Sequence, residues 1–460
     1  MTASDFTPAL DRAHAHARDW IASLGTRQVT PRRGGATIRN ALGELPDTPT
    51  PAATVIDDLA AVVEPGLGAH GSGRFFGFVF GGGQPAGVAA DWLVSAWDQN
   101  TGVLAAAPGA AEVERAAGRW LVDLLGLPAT SSVGFTTGAT TANLTGVLVG
   151  RDQLLRRAGG DPARGLAGGP RIRVLAGEDV HTSVLLALRY AGLPQPEVVA
   201  VDDQGRVRTD ALEASLADAP STPTLLLLQA GDLHSGASDP FAELIPIAHR
   251  HGAWVHVDGA FGLWQAASPS LRHLAAGVEL ADSWATDAHK TLNVPYDCGV
   301  VIVRDPAAHR AAMSIDAPYF AGFGDEFGNP YDFVPELSRR ARGLPVWATL
   351  RAMGRTGVVD LIDRLAARAH EFAAGIRGIP GAQILNDVVF TQVTLAFEDD
   401  ERTRAITRAI LAEGDVWMSG SVWRGRAVLR ISVSNWQTST ADVERGLAAI
   451  RRAVALTSTP

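Results

Sequence analysis

The stretch Thr286-Asp-Ala-His-Lys-Thr-Leu-Asn-Val-Pro-Tyr-Asp-Cys-Gly299 contains Lys290, and no other lysine occurs in the 460 residues. Lysine and arginine together number 40, so arginine fills the remaining 39 basic positions. For solubility and surface pairing the two cations largely replace one another. A guanidinium cannot replace an amine that must lose its proton and attack a carbonyl. One amine kept among so many guanidinia points to a Schiff-base lysine; a leftover surface lysine is the plain alternative.

Short apolar strands alternate with helices around this stretch. Residues 133–136, 172–176, 197–201, 224–229, 254–258 and 300–304 read as strands, and 141–157, 183–191, 209–217, 241–251 and 269–276 as helices. This spacing predicts an α/β fold, a mostly parallel central sheet covered by helices on both faces. Ligands gather at the carboxyl ends of the strands in such sheets.

The flanks read differently. Residues 1–75 form a helical arm, with helices over 5–24 and 54–63 and extended linkers at 31–35 and 45–51. The arm is too small for a core of its own, so it packs on another subunit or joins the main core. Helices are expected over 86–100 and 110–125, the second with Glu112 and Glu114 near its start. The large domain spans 76–345 and ends in a Gly- and aromatic-rich stretch, 317–331, with the character of a mobile loop. A small C-terminal α+β domain covers 346–460. It opens with a helix over 346–373, breakable at Gly354 or Gly357, and continues β-α-β-α over 383–397, 401–413, 427–433 and 439–454.

Composition narrows the function. An apolar content of 46% with 19% charged residues describes a folded chain. The net charge of −9 argues against nucleic acid or an anionic membrane as partner. The single cysteine, Cys298, excludes intrachain disulfides and suits a reducing cytoplasm. The start Met1-Thr-Ala-Ser-Asp-Phe6 lacks the features of a signal peptide, and no apolar run approaches the about 20 residues that span a bilayer. A cytoplasmic location is expected, and no metal.

Four elements suit one cofactor. In Gly134-Phe-Thr-Thr-Gly-Ala-Thr-Thr-Ala-Asn-Leu144, a strand, a turn and a helix start present Gly138, Ala139 and Thr140 as a phosphate cradle, although threonine is also an ordinary helix cap. In Trp254-Val-His-Val-Asp-Gly-Ala-Phe261, Asp258 ends a buried strand, where a cationic ring nitrogen would offset the cost of burying its charge; a capping or turn aspartate is the alternative. His181, just past a strand in Glu178-Asp-Val-His-Thr-Ser183, offers a flat ring for stacking, or is simply a loop histidine. Lys290 supplies the amine. Phosphate site, pyridinium partner, ring stacker and amine are what pyridoxal 5′-phosphate requires.

From about Phe75 to the C-terminus the chain resembles the group II pyridoxal-phosphate-dependent amino acid decarboxylases, among them the aromatic amino acid, histidine, glutamate and cysteine sulfinate enzymes. The resemblance is strongest at Thr136-Thr-Gly-Ala-Thr-Thr-Ala-Asn143, His181-Thr-Ser183, His256-Val-Asp-Gly-Ala260, Asp287-Ala-His-Lys290 and Asp297-Cys-Gly299. It implies the aspartate-aminotransferase fold (fold type I) and a homodimer with active sites at the subunit interface. It also implies that Lys290 forms the Schiff base with the cofactor, Asp258 pairs with the pyridine nitrogen and His181 stacks on the ring. Ala139, Thr140 and His289 would contact the phosphate, with Gly138 and Ala260 beside them. Tyr319 takes the place of the loop tyrosine that protonates the carbon after CO2 leaves, where aldehyde-forming relatives often carry phenylalanine. Arg340 and Arg342 resemble the segment after that loop.

There are departures. Gly231-Asp-Leu-His-Ser-Gly236 replaces a Thr-rich turn, which puts His234 where a threonine near the cofactor 3′-oxygen is usual. Asp287 stands where an amide is common, which puts its phosphate contact in doubt. Phe75, Phe76, Phe78 and Phe80, with Val103 and Leu104, suggest an apolar pocket and hence an aromatic or bulky aliphatic L-amino acid, converted to its amine and CO2. Packing of the phenylalanines in the core is the competing reading. Oxidative deamination to an aldehyde, C–C cleavage, or a catalytically silent cofactor-binding protein remain as alternatives.

Overall fold

A computed structural model of the chain describes residues 6–315 and 324–457. It divides into two compact units, Met1–Phe80 with Glu371–Leu385 and Thr394–Pro460, and Gly81–His370 with Asn386–Val393. The first unit opens with α1 (Thr7–Ser23), α2 (Gly35–Leu42), α3 (Ala52–Val63) and the short strand β1 (Phe75–Phe76). None of these three helices buries a residue. α2 was not expected between the two linkers. Gly34 and Gly35 at its start and Gly43 at its end (φ 67°) set it off as one short isolated element.

The second unit carries α4 (Pro85–Trp97), α5 (Pro108–Leu124), β2 (Ser132–Thr136), α6 (Ala139–Arg157), β3 (Arg173–Gly177), α7 (Thr182–Tyr190) and β4 (Glu197–Val199). It continues with α8 (Thr209–Asp218), β5 (Thr224–Gln229), α9 (Phe241–Arg250), β6 (Trp254–Asp258), β7 (Ser283–Asp287), β8 (Gly299–Val303) and α10 (Pro306–Met313). Its strands form one sheet in the order β2-β8-β7-β6-β5-β3-β4. β8 runs antiparallel to both its neighbours, and the other neighbouring pairs are parallel. β5 is the run Thr-Leu-Leu-Leu-Leu-Gln because a central parallel strand is covered on both faces and has no wet side to alternate with.

α6 packs on one face of this sheet, and its sequence shows how. A side chain at Gly146 would meet His256 Cε1 at 2.4 Å, and one at Gly150 would meet Trp254 Cδ1 at 2.6 Å. Four residues of helix advance about 6 Å, as do two residues of strand, so the glycines match Trp254 and His256 in step. Around them Ala142, Val147, Leu154, Val174, Leu225, Leu227, Ala285 and Val301 make a buried apolar cluster.

Two expectations for this unit need correction. Residues 269–276 are not a helix but lie among single 3-10 turns, Leu263–Ala267, Arg272–Ala275 and Val278–Leu280. Ser270 Oγ bonds Asp363 (2.7 Å) instead of capping a helix, and Gly277 turns into the left-handed region (φ 86°). β7 was not foreseen as a strand. Ser-Trp-Ala-Thr-Asp has no apolar run, yet every residue of it is buried at the sheet centre.

α11 (Gly343–Ile376) is interrupted at Gly354 (φ 63°), one of the two expected breaks. The first unit then completes a sheet with β9 (Gln383–Ile384), β10 (Gln392–Ala396), α12 (Asp400–Glu413), β11 (Trp417–Trp423), β12 (Arg426–Ser432) and α13 (Thr440–Thr457). The strand order is β1-β11-β12-β10-β9. The expected β-α-β-α pattern therefore lacked β11, a strand broken up by Ser419, Gly420 and Ser421. Phe75 pairs with Trp417 in parallel register, and Phe76 packs edge-on against Phe372 at 4.8 Å. Both phenylalanines are fully buried in this unit. They are core residues, not the pocket wall expected of them, because the Gly-rich stretch supplies an edge strand. Buried Arg74 donates to Asp415 Oδ1 (2.8 Å) and to the carbonyl of Arg27 (2.7 Å), which ties the start of the chain to this sheet.

Glu114, expected near a helix start, and Arg339 form a buried bidentate pair at 2.7 and 3.0 Å. Arg339 also donates to the carbonyls of Thr101 and Phe135, both at 3.0 Å, and so braces the end of β2. Glu114→Ala should lower unfolding stability by about 3–5 kcal/mol, the cost of an orphaned buried guanidinium. The double variant Glu114→Leu/Arg339→Met should recover much of that loss. Urea unfolding followed by circular dichroism measures both.

Candidate active site

β2 and β7 are both antiparallel to β8, so their carboxyl ends lie at the same edge of the sheet. Gly299, the first residue of β8, pairs with Thr136 on one side and Asp287 on the other. A side chain there would fall 2.3 Å from the carbonyl carbon of Gly138. With none, the turn at Gly138 and the lysine stretch come together across the end of β8. Gly299 is thus a site residue, visible in the sequence only as part of Asp297-Cys-Gly299.

α6 begins at Ala139, directly after Gly138. The N–H of Ala139 donates to Asp287 Oδ1 at 2.6 Å, while Lys290 Nζ lies 3.0 Å from Asp287 Oδ2. His289 Nε2 is 3.6 Å from the same carboxylate, whose side chain is only 3% exposed. His289 stacks on Tyr296 at 4.2 Å and accepts the Cys298 N–H at Nδ1 (3.1 Å). Burial lowers its pKa, so the ring is neutral and Nε2 carries the proton that faces Asp287. Burial also pushes the Cys298 thiol well up, which makes it a packed group and not a nucleophile.

The lysine turn is held from behind. Asn293 (φ 59°) donates to the carbonyl of Thr291 at 2.8 Å and accepts the Gly82 N–H at 2.6 Å. A side chain on Gly81 would lie 2.3 Å from the Lys290 carbonyl oxygen. This close approach is the requirement that the glycine meets.

Asp258 ends β6, buried, and its carboxylate accepts the Ala260 N–H at 3.1 Å. The Ala260 carbonyl in turn accepts the Asp287 N–H at 2.9 Å, which joins the second and fourth elements. Beneath Asp258, His256 bridges Asn143 Oδ1 (2.9 Å) and Ser283 Oγ (2.8 Å). Its pKa falls to about 3 through burial, so it is a neutral strut between α6 and β7.

His181 caps α7 after β3, its Nδ1 accepting from the Ser183 N–H (3.3 Å) and 2.7 Å from Ser183 Oγ. Ser183 therefore sets the orientation of that ring. His234 sits in the loop after β5, where its N–H and that of Ser235 bond Asp232 Oδ1 at 2.8 and 2.7 Å. Burial pushes the Asp232 carboxyl up. Thr140 is exposed at the start of α6. Arg340 and Arg342 pair with Asp91 (2.7 Å) and Asp297 (2.9 Å). Tyr319 lies outside the described residues. From 324 onward the expected loop is fastened, with Asp325 paired to Arg115 at 2.7 Å and Tyr331 buried.

These residues fit pyridoxal phosphate. A buried carboxylate with one backbone donor keeps lone pairs for a ring N–H, a partly accessible amine stands at the neighbouring strand end, and the α6 start already holds an anionic group. Residues 36–398 match the pyridoxal-dependent decarboxylase conserved domain. The chain belongs to the pyridoxal-dependent decarboxylase family. It is 28% identical to tryptophan decarboxylase 1 of Oryza sativa subsp. japonica, over 95% of this chain and 91% of that one. Identity is 26% to the aromatic-L-amino-acid decarboxylase of Sus scrofa (98% and 97% covered) and 27% to the phenylacetaldehyde synthase of Arabidopsis thaliana (84% and 83%). The crystal structure of Oryza sativa TDC with PLP and tryptamine superposes with a TM-score of 0.92 at 25% identity, covering 100% of this chain and 99% of that one. The decarboxylase is thus a pyridoxal-phosphate-dependent carboxy-lyase of the expected fold class. No described helix of the decarboxylase is long and apolar enough to cross a membrane.

Proposed function

We propose that the protein decarboxylates an aromatic L-amino acid to the corresponding amine. The observation that carries the reading is the convergence of Lys290, Asp258 and the α6 start at one sheet edge, in a chain whose relatives include decarboxylases of tryptophan and other aromatic amino acids. Substrate choice rests on those relatives, since Phe75 and Phe76 are core residues.

Bound pyridoxal phosphate supplies an electron sink for the pair left on Cα when CO2 departs. Lys290, the chain's only side-chain amine, would hold the cofactor through its aldehyde carbon. Asp258 keeps a proton on the ring nitrogen, because a carboxylate in a dry site favours a cation beside it. His181, oriented by Ser183, would cover the ring, and His234 would lie on the side of its 3′-oxygen. Gly138, Ala139, Thr140 and His289 would hold the phosphate, with Ala260 fixing the loop after Asp258. Tyr319 or His181 would deliver the proton to Cα.

The kinship with an aldehyde synthase favours aldehyde formation as the second reading. The homodimer belongs to the proposal too, supported by the exposed Trp92 and Trp97 on α4, and sedimentation would test it.

Incubation of the cofactor-loaded protein with a panel of L-amino acids in air, with products identified by mass spectrometry, tests the function. An aromatic amine with CO2 is expected, and Tyr319→Phe should divert product toward aldehyde and peroxide. Aldehyde from the unaltered protein would move the reaction; amine from acidic substrates alone would overturn the specificity.

A further inference from the structure

The cofactor's phosphate needs donors, and the structure shows one of them already in use. The Ala139 N–H, at the first position of α6, donates at 2.6 Å to Asp287 Oδ1. The other oxygen of that carboxylate lies 3.0 Å from Lys290 Nζ, and His289 Nε2 is 3.6 Å from the first. One buried carboxylate thus faces a helix N-terminus, the ammonium and an imidazole N–H. A phosphate seeks the same kinds of group, for the same electrostatic reason.

We infer that Asp287 is an internal stand-in for the phosphate: it competes with the cofactor for the Ala139 N–H and for Lys290, and so limits cofactor affinity. Two consequences follow. Before the phosphate binds, the carboxylate balances the three donors at the Ala139 N–H, His289 and Lys290, and it holds the Lys290 amine at the strand end. When the phosphate arrives, the carboxylate must give up the Ala139 N–H, since two anions cannot share one donor in a site this dry. Asp287 is a positioning residue here, acting through Ala139 and Lys290. The inference rests on reading the α6 start as the phosphate cradle.

The test compares the wild-type protein with Asp287→Asn, both freed of cofactor. Binding is titrated by visible absorbance with pyridoxal 5′-phosphate and with pyridoxal, which lacks the phosphate. An amide removes the negative charge at nearly constant size. Affinity for the phosphate form should rise at least about tenfold, and at least about fivefold more than affinity for pyridoxal, which gains only from the release of Lys290. Unchanged or weaker binding of the phosphate form by a folded variant would overturn the inference. So would an equal gain for both ligands. Should Asp287→Asn not fold, a crystal structure of the wild-type holoprotein decides. Ala139 N–H on the phosphate with Asp287 turned away supports the competition; Asp287 still holding that N–H beside bound phosphate refutes it. If the wild-type protein binds pyridoxal phosphate but no cofactor is trapped at Lys290 on borohydride reduction, the site assignment itself fails, a result distinct from either of these.

Discussion

Lys290→Ala should abolish the visible absorbance of the bound cofactor and lower turnover by about 10³-fold or more, the combined loss of a covalent anchor and of an acid–base group. The chain offers an unusually clean way to check this. Lys290 is its only lysine, so borohydride reduction followed by peptide mapping has one side-chain amine to find. Label on the peptide carrying Lys290 in the wild-type protein, and none in the variant, is the expected result. Arginine at this position should fail as completely as alanine, because it keeps the charge facing Asp287 but cannot become a neutral nucleophile. A variant that kept both the absorbance and the turnover would remove the basis of the proposed mechanism.

Asp258→Asn should cost about 10²–10³-fold in kcat, the usual effect of deleting one preorganised electrostatic partner in a dry site. The side chain is buried at the end of β6 and accepts the Ala260 N–H at 3.1 Å, a bond that an amide oxygen can keep. The fold and the cofactor attachment should therefore survive. Reduction should still label Lys290 in this variant, and KM should move much less than kcat. Loss of label would instead mean that Asp258 serves to hold the cofactor. Equal falls in kcat and kcat/KM, with label retained, would place its contribution in the transition state, as proposed.

The fold class was legible in the alternation of strands and helices, and five of the seven strands of the large sheet were expected close to their observed positions; β4 is shorter than expected. The other, β7, escaped because Ser283-Trp-Ala-Thr-Asp287 carries no period and no apolar run, although it leads straight into Lys290. A strand buried on both faces and ending in functional residues need not look apolar. The N-terminal phenylalanines misled for the opposite reason. Four aromatics close together suggest an apolar pocket, whereas Phe75 and Phe76 complete a sheet whose other strands lie more than 300 residues later.

The sequence by itself determined the cofactor chemistry of this protein. One amine among 39 guanidinia, an aspartate ending an apolar strand, and a glycine turn opening a helix are choices of residue type, and residue type is what a sequence states. Only the tertiary structure decided which of these groups meet. Ala139 and Asp287 are 148 positions apart, and their contact depends on β8 lying between β2 and β7 and on Gly299 leaving the gap clear. The donor at Ala139 is a backbone N–H, which every residue but proline possesses, so no side-chain pattern could have announced it.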